Sequence, residues 1–447
     1  MPHKISRFEA FWFWLRLGFI SFGGPAGQIA IMHQELVERR RWISEKRFLH
    51  ALNYCMLLPG PEAQQLATYL GWLMHRTAGG LIAGGLFVLP SLVILIALSW
   101  VYVTFGHVSW IAGLLYGIKP AVTAIVLHAA FRIGSRALRN AWLWILAGCS
   151  FLAITLLDAP FPLIVLTAAF IGLLGGQYLP KVFTLGANRH TLNAKGTHPA
   201  KNHQPAIIDD DTPTPEHAQF KLKNLVITGL LGLLTWLSSI LAIAYAFGWS
   251  NPLLHMSWFF TKAALLTFGG AYAVLPYVYQ GAVTQFAWLT PAQMMDGLAL
   301  GETTPGPLIM VVSFVGYLGG VKQQVLGENA SFLSGMIAAI VVTWFTFLPS
   351  FVFILMGGPV IEATHNDLKF TAPLTAVTAA VVGVILNLAL FFGYHVLWPE
   401  GLNGKVDWIA AMITFLAALA LFKMKSKILH VIFACACVGL LLSIRPL

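Results

Sequence analysis

Ser21-Phe22-Gly23-Gly24-Pro25-Ala26-Gly27 and Pro59-Gly60-Pro61 decide the fold, because both interrupt long apolar stretches and both recur. Thr267-Phe268-Gly269-Gly270 and Pro305-Gly306-Pro307 lie 246 positions further on. Helix-breaking residues at matched places in two apolar halves point to a transporter's binding site, since an interrupted helix presents free backbone groups there. At the same offset Trp42 falls on Trp288, Ser44 on Thr290, Ser21 on Thr267 and Arg16 on Lys262, with no gap from Arg16 to Pro61. The register then slips, yet Leu89-Pro90-Ser91 returns as Leu348-Pro349-Ser350 and Ala121-Val122-Thr123-Ala124 as Ala376-Val377-Thr378-Ala379. The pattern is that of a duplicated chain with broken helices.

Composition sets the solvent. With 58% apolar residues, 10% charged residues and a mean hydropathy of +0.76 over 447 positions, the chain has too little polar material to coat a soluble globule, so it must dissolve in lipid. The net charge of +10 is scattered through short loops, where basic residues act as topology signals; 15 Trp and 31 Phe suit interfacial belts, and no nucleic acid is expected. Cys55, Cys149, Cys435 and Cys437 sit in apolar segments without CxxC spacing, so neither metal nor cofactor is expected. The first apolar stretch carries Arg16 and has no small-residue cleavage site, so it should stay in the mature chain.

These features predict an all-α polytopic membrane protein of two inverted homologous halves with discontinuous helices. It would hold about 13 spans, six in each half and one between, at roughly 17–25 residues per crossing. Residues 1–182 form the N-terminal repeat, 183–224 a hydrophilic linker, 225–248 an additional connecting helix that inverts the second copy, and 249–447 the C-terminal repeat. The linker is rich in Asn, Thr, Pro and Lys and holds Asp209-Asp210-Asp211; the irregular spacing of His190, His198, His203 and His217 gives them no metal role. The positive-inside rule places His75-Arg76, Arg132, Arg136, Arg139, the linker and Lys423, Lys425 and Lys427 on the cytoplasmic side. Arg39-Arg40-Arg41 with Lys46 and Arg47 then fall outside, the one basic loop against the rule; a re-entrant break would change the count.

The breaks should line a cavity, because freed N–H and C=O groups cannot face lipid. Pro61 and Pro307 suit the first position of a following half-helix, whose amides and positive dipole end favour an anion; Pro25, Pro59 and Pro305 complete the breaks, with a plain packing kink as the alternative. Arg16 and Lys262 each lie five residues before a break, where a buried cation costs at least ~2.5–3.5 kcal/mol. They are expected to balance the anion, with snorkelling as the alternative. Ser21, Gly23, Gly24, Gln28, Asn53, Gly60, Gln64 and Gln65 are the first-half binding candidates, and Thr267, Gly269, Gly270, Thr303, Thr304 and Gly306 those of the second. Thr68 and Tyr69 lie nearby, and interhelical hydrogen bonding accounts for part of such a set. Glu62 and Glu302 flank the Pro-Gly-Pro turns and are candidates for proton coupling, helix capping being the other reading of Glu62.

Gly18-Phe19-Ile20-Ser21-Phe22-Gly23-Gly24-Pro25-Ala26-Gly27-Gln28-Ile29-Ala30, followed by Leu57-Leu58-Pro59-Gly60-Pro61-Glu62-Ala63-Gln64-Gln65-Leu66-Ala67, closely resembles the signature of the chromate ion transporter family. The second-half breaks resemble that family's C-terminal copy, so the resemblance covers nearly everything but the linker and is that of a long, two-domain member. It implies secondary export of chromate across the bacterial inner membrane, giving chromate resistance, with sulfate as a structural analogue. Expected partners are chromate, sulfate and the lipid bilayer; a homodimer is left open. Uptake or exchange of sulfate or another oxyanion is the alternative, and a passive anion channel or a membrane-embedded enzyme represents a different class. No P-loop, HExxH or GxSxG element is present, which disfavours ATP-driven transport and the enzyme. Glu62 matches Leu308 and Pro25 matches Ala271, so the halves should contribute unequally, the N-terminal one more.

Overall fold

Four of the apolar stretches break in their middle, and each break turns the chain back on itself. The computed structural model describes residues 5–22, 24–183, 206–210, 212–213, 215–268, 270–363, 371–401 and 404–444. Helix α1 (Arg7–Ile20) begins at Ser6, whose hydroxyl accepts the Glu9 amide, and stops at the glycine break. Helix α2 (Gly24–His33) continues as a widened turn, Gln34–Arg39, and runs back along α1. Arg40 reaches Glu9 at 3.4 Å and the Phe13 ring lies 5.0 Å from Trp42, so the start of α1 and the end of α2 share one end of the molecule.

Helix α3 (Glu45–Cys55), capped by Ser44, leads to Pro59-Gly60-Pro61, and α4 (Glu62–Phe105) returns from it. Pro61 is the capping residue itself and Glu62 the first helical one, a shift of one position from the sequence reading. At His75–Arg76 the helix bends, Arg76 having φ of 59°, and then runs on as a long apolar helix. Helices α5 (Ser109–Ala137), α6 (Ala141–Leu157) and α7 (Phe161–Tyr178) complete the first half, and α8 (Leu222–Phe247) follows the linker.

The second half repeats this order. Helices α9 (Pro252–Leu265) and α10 (Ala271–Tyr279) form the first hairpin, with Phe259 and Phe286 rings 5.7 Å apart. Helix α11 (Pro291–Thr303), opened by a Thr290–Gln293 capping box, leads to Pro305-Gly306-Pro307, then a short turn Leu308–Met310 and α12 (Val311–Lys322). Ser44 and Thr290 thus recur for one reason, the capping of equivalent helices. Helices α13 (Ser331–Ala363), α14 (Thr371–Leu397), α15 (Trp408–Phe422) and α16 (Ile428–Ile444) follow. Among the described residues six helices are long and apolar enough to cross a membrane, and α6, α15, α16 and the Leu308–Lys322 segment are shorter apolar ones.

The two halves interlock. Helix α5 packs on α15 and α16, while its counterpart α14 packs on α6 and α7. Small residues permit the approach: Gly117 meets Gly439, and Gly172 meets Ala372 and Pro373, with no room for a Cβ at either glycine. Close backbone contact is how helices associate where lipid removes the hydrophobic drive.

One loop departs from the sequence reading. The Ile43 segment pairs with Ile208 of the linker: the Ile208 amide donates to the Trp42 carbonyl at 3.0 Å, the Ser44 amide to the Ile208 carbonyl at 3.0 Å, and Arg47 to the Thr212 carbonyl. Arg39-Arg40-Arg41, Lys46 and Arg47 therefore sit at the linker end, not opposite it. At this end too, His75 bonds the Ile5 carbonyl at 2.9 Å and His217 the Trp72 carbonyl at 3.0 Å. The corresponding contacts of the second copy, Asn251 to the Val325 carbonyl at 3.1 Å and Lys322 to the Ala287 carbonyl at 2.6 Å, gather the ends of its own hairpins.

Candidate functional site

The four hairpin tips meet. Gly60 of the first-half Pro-Gly-Pro donates its amide to the Thr267 carbonyl at 2.7 Å, and Gly306 of the second donates to the Ser21 carbonyl at 2.8 Å. Each Pro-Gly-Pro turn thus grips the glycine break of the other copy. The glycines are required conformationally: Gly24, Gly60, Gly270 and Gly306 have φ of 71°, 130°, 99° and 101°, a region that side chains disfavour.

Around the tips lies a buried polar shell. Gln28 donates to the Gly306 carbonyl at 2.5 Å and the Ser21 carbonyl at 3.4 Å, Gln65 to the Pro59 carbonyl at 2.7 Å, and Gln64 to the Thr68 hydroxyl at 3.0 Å. The carboxamide oxygen of each of the three glutamines has no protein partner. Two serines complete the shell. A Cβ at Gly306 would lie 2.8 Å from the Ser91 Cβ, and one at Gly60 would strike the Ser350 hydroxyl. Ser91 and Ser350 are fully buried, and neither hydroxyl has a protein partner. A buried unpartnered polar group costs about 1–3 kcal/mol, and five of them lie among the tips.

The electrostatics favour an anion. Helices α2 and α4, and the turn leading into α12, begin at the tips, and the amides of a helix's first turn have no intrahelical partner and carry the positive dipole end. Ser91 and Ser350 add hydroxyl donors of the kind that bind oxyanion oxygens. Glu62 brings a carboxylate into this field, its Oε1 3.9 Å from where a Cβ on Gly270 would stand. Glu302 is tied down by the Tyr272 hydroxyl.

Several candidates stand elsewhere. Arg16 is exposed on a stripe with Phe8, Trp12 and Phe19, while α1 turns Phe13, Trp14, Leu17 and Ser21 inward. Lys262 is exposed beside Trp258, 5.8 Å from its ring, on the outward face of α9. The 100° turn per residue sets both cations opposite the faces that carry the tips, so the charge balance expected of them is not what this shell uses. Asn53 is exposed. The Ser21, Thr267, Thr303 and Thr304 hydroxyls bond back to Leu17, Ala263, Leu300 and Gly301 carbonyls at 2.6–3.1 Å, so each one's single proton is already donated. What Ser21 and Thr267 offer the tips is their carbonyls. Gly23 and Gly269 lie outside the described residues.

Ser91 and Ser350 are absent from the sequence-derived set, although the repeated Leu-Pro-Ser carries them. A proline inside a crossing helix withholds an amide from the carbonyl four residues earlier; at Pro90 that carbonyl, of Leu86, lies against Gly18.

Paired helix-break hairpins around a polar shell, in a duplicated all-helical membrane protein, are the build of a transporter. The chromate transporter family model matches residues 8–173 and 254–440, and the chain belongs to that family. It is 32% identical to the chromate transport protein of Pseudomonas aeruginosa over 98% of this chain and 93% of that one. It is 29% identical to the chromate transport protein of Cupriavidus metallidurans over 85% and 80%, and 27% identical to the probable chromate transport protein of Synechococcus elongatus over 89% and 88%. No solved structure matches the chain.

Proposed function

We propose that the chain is a secondary transporter that exports chromate from the cytoplasm across the inner membrane of a bacterium and so confers chromate resistance. The observation that carries this reading is the exchange of tips, Gly60 to Thr267 and Gly306 to Ser21, which gathers positive helix ends and unpartnered hydroxyls around one point. A tetrahedral oxyanion suits that donor set, and the names of the relatives single out chromate. Sulfate, of the same shape and charge, is the expected competitor.

In this reading the broken segments are re-entrant hairpins, two from each face, and the full crossings are α4 beyond its bend, α5 to α8 and α13 to α16, nine in all. The contacts of residues 43–47 with the linker support it, and the loop of Arg39-Arg40-Arg41, Lys46 and Arg47 then obeys the positive-inside rule. Alternating access follows when the paired tips of one copy part from those of the other. Glu62 is the better placed of the two coupling carboxyls: it faces the opposite copy's break, where a proton would discharge it as the anion arrives.

The test is uptake of radiolabelled chromate by everted vesicles, with sulfate in competition. Saturable uptake, inhibited by sulfate and accelerated by chromate preloaded inside, is expected. Uptake no greater than in vesicles lacking the protein would refute the assignment, and flux rising linearly with concentration, without acceleration by preloading, would make it a channel.

A further inference from the structure

A second polar centre lies away from the tips. Asp296, on α11, is 2% exposed; its Oδ2 accepts the Tyr102 hydroxyl of α4 at 2.9 Å and lies 3.7 Å from the Lys119 ammonium of α5. Its Oδ1 has no protein partner. The three residues line a cavity of about 460 Å³ that also carries His107, Gln293 and Lys322 and lies at the end opposite the linker. From α4, α5 and α12, with the turn after α4, the titratable groups facing Asp296 are Tyr102, Lys119, Lys322 and His107. Helices α14 and α16, the other helices packed on α11, contribute none to the cavity wall.

Packing does not require this arrangement. At the 246 offset the counterpart of Asp296 is His50, and in the Leu-Pro-Ser register the counterpart of Tyr102 is Ile361. His50 does meet Ile361, through its carbonyl at 3.4 Å, so the other copy holds the same junction with an imidazole in place of the Asp296 carboxylate. An ionisable pair inside a membrane helix bundle is a functional feature by default, since the bilayer penalises it heavily. A carboxylate with one free oxygen beside a lysine open to a cavity can exchange partners.

We propose that Lys119 and Asp296 form a proton-linked oxyanion site on the face opposite the linker: a proton taken up by the Asp296 carboxylate releases the Lys119 ammonium, which then pairs with an oxyanion in the cavity. Proton loss restores the Lys119–Asp296 pair and expels the anion. Helix α11 ends in Thr303 and Thr304, directly before Pro305-Gly306-Pro307, so the exchange is mechanically connected to the tips. The inference rests on the oxyanion reading above.

The experiment is equilibrium binding of radiolabelled chromate and of sulfate to the purified full chain across pH 6 to 9. Wild type is compared with Asp296→Asn, Lys119→Met and the double variant at each pH, so that ligand speciation cancels. Asp296→Asn frees Lys119 permanently; its affinity advantage over wild type should widen with rising pH, by up to about tenfold per pH unit, the ceiling for one linked proton. Lys119→Met should bind more weakly at low pH. The double variant carries no unpaired buried charge, keeps the fold, and should show neither the advantage nor its pH dependence. A constant ratio of Asp296→Asn to wild type across the range, or an advantage that survives in the double variant, overturns the proposal. Absence of binding by wild type itself at every pH would instead strike at the oxyanion reading.

Discussion

The Gly60 amide donates to the Thr267 carbonyl at 2.7 Å, joining the Pro-Gly-Pro turn of one copy to the glycine break of the other. At φ of 130°, and with the Ser350 hydroxyl and the Gln65 amide where a Cβ would stand, Gly60 admits no side chain. Gly60→Ala should therefore combine backbone strain of about 1–3 kcal/mol with displacement of Ser350. Chromate flux in vesicles is expected to fall at least tenfold. Gly24→Ala, at φ of 71°, shares the backbone strain but meets nothing within 4 Å, so it should lose less. Equal flux in the two variants would separate transport from the joined tips.

Ser91 and Ser350 test whether the shell binds a ligand or merely fills space. Their hydroxyls make no protein hydrogen bond, so Ser91→Ala and Ser350→Ala should leave the thermal unfolding midpoint of purified protein unchanged or raise it. If each hydroxyl donates to the oxyanion, its loss should raise KM for chromate by roughly tenfold, the equivalent of one hydrogen bond of about 1.4 kcal/mol. A lowered midpoint with an unchanged KM would return both serines to packing.

The duplication and the broken helices were legible because glycine and proline act locally: both Pro-Gly-Pro turns carry their meaning within a few residues. What a break does was not legible. A helix interrupted at its middle reads the same in sequence whether it continues across or turns back, and tertiary contacts such as the Ile43–Ile208 pairing distinguish the two. Nor could sequence orient Arg16 and Lys262, since a cation five residues before a break faces the core or the lipid according to which stripe its neighbours bury. The repeated Leu-Pro-Ser carries Ser91 and Ser350, but their role depends on tertiary contact across the two copies, 215 and 290 positions away, which no local pattern encodes.

Hairpins that return to their own side have a measurable signature. In a background with Cys55, Cys149, Cys435 and Cys437 replaced, Lys46→Cys should react with an impermeant maleimide from the same face as Glu216→Cys in the linker, and Gln323→Cys from the opposite face. All three positions are exposed. If the first two breaks crossed the bilayer, Lys46→Cys and Glu216→Cys would label from opposite faces, and the re-entrant arrangement would be abandoned.

The linker's attachment to the helices should depend on pH. His217 donates a ring N–H to the Trp72 carbonyl at 3.0 Å and stands edge-on to the Trp72 ring, 5.3 Å away. Partial burial pushes its pKa below the ordinary 6.5; the Trp72 bond opposes that shift, the positive charge of Arg76 adds to it, and Glu362 partly offsets it. A released linker exposes His217 to water and binds a proton more readily than the docked one, so docking is fully stable above pH 6.5 and weakens as pH falls below it. Limited proteolysis of the linker in vesicles should accelerate between pH 7 and pH 5, relative to an unstructured control substrate of the same protease. His217→Phe keeps the ring contact and cannot be charged, so it should remove most of that acceleration. Identical acceleration in His217→Phe would assign the pH response to another group.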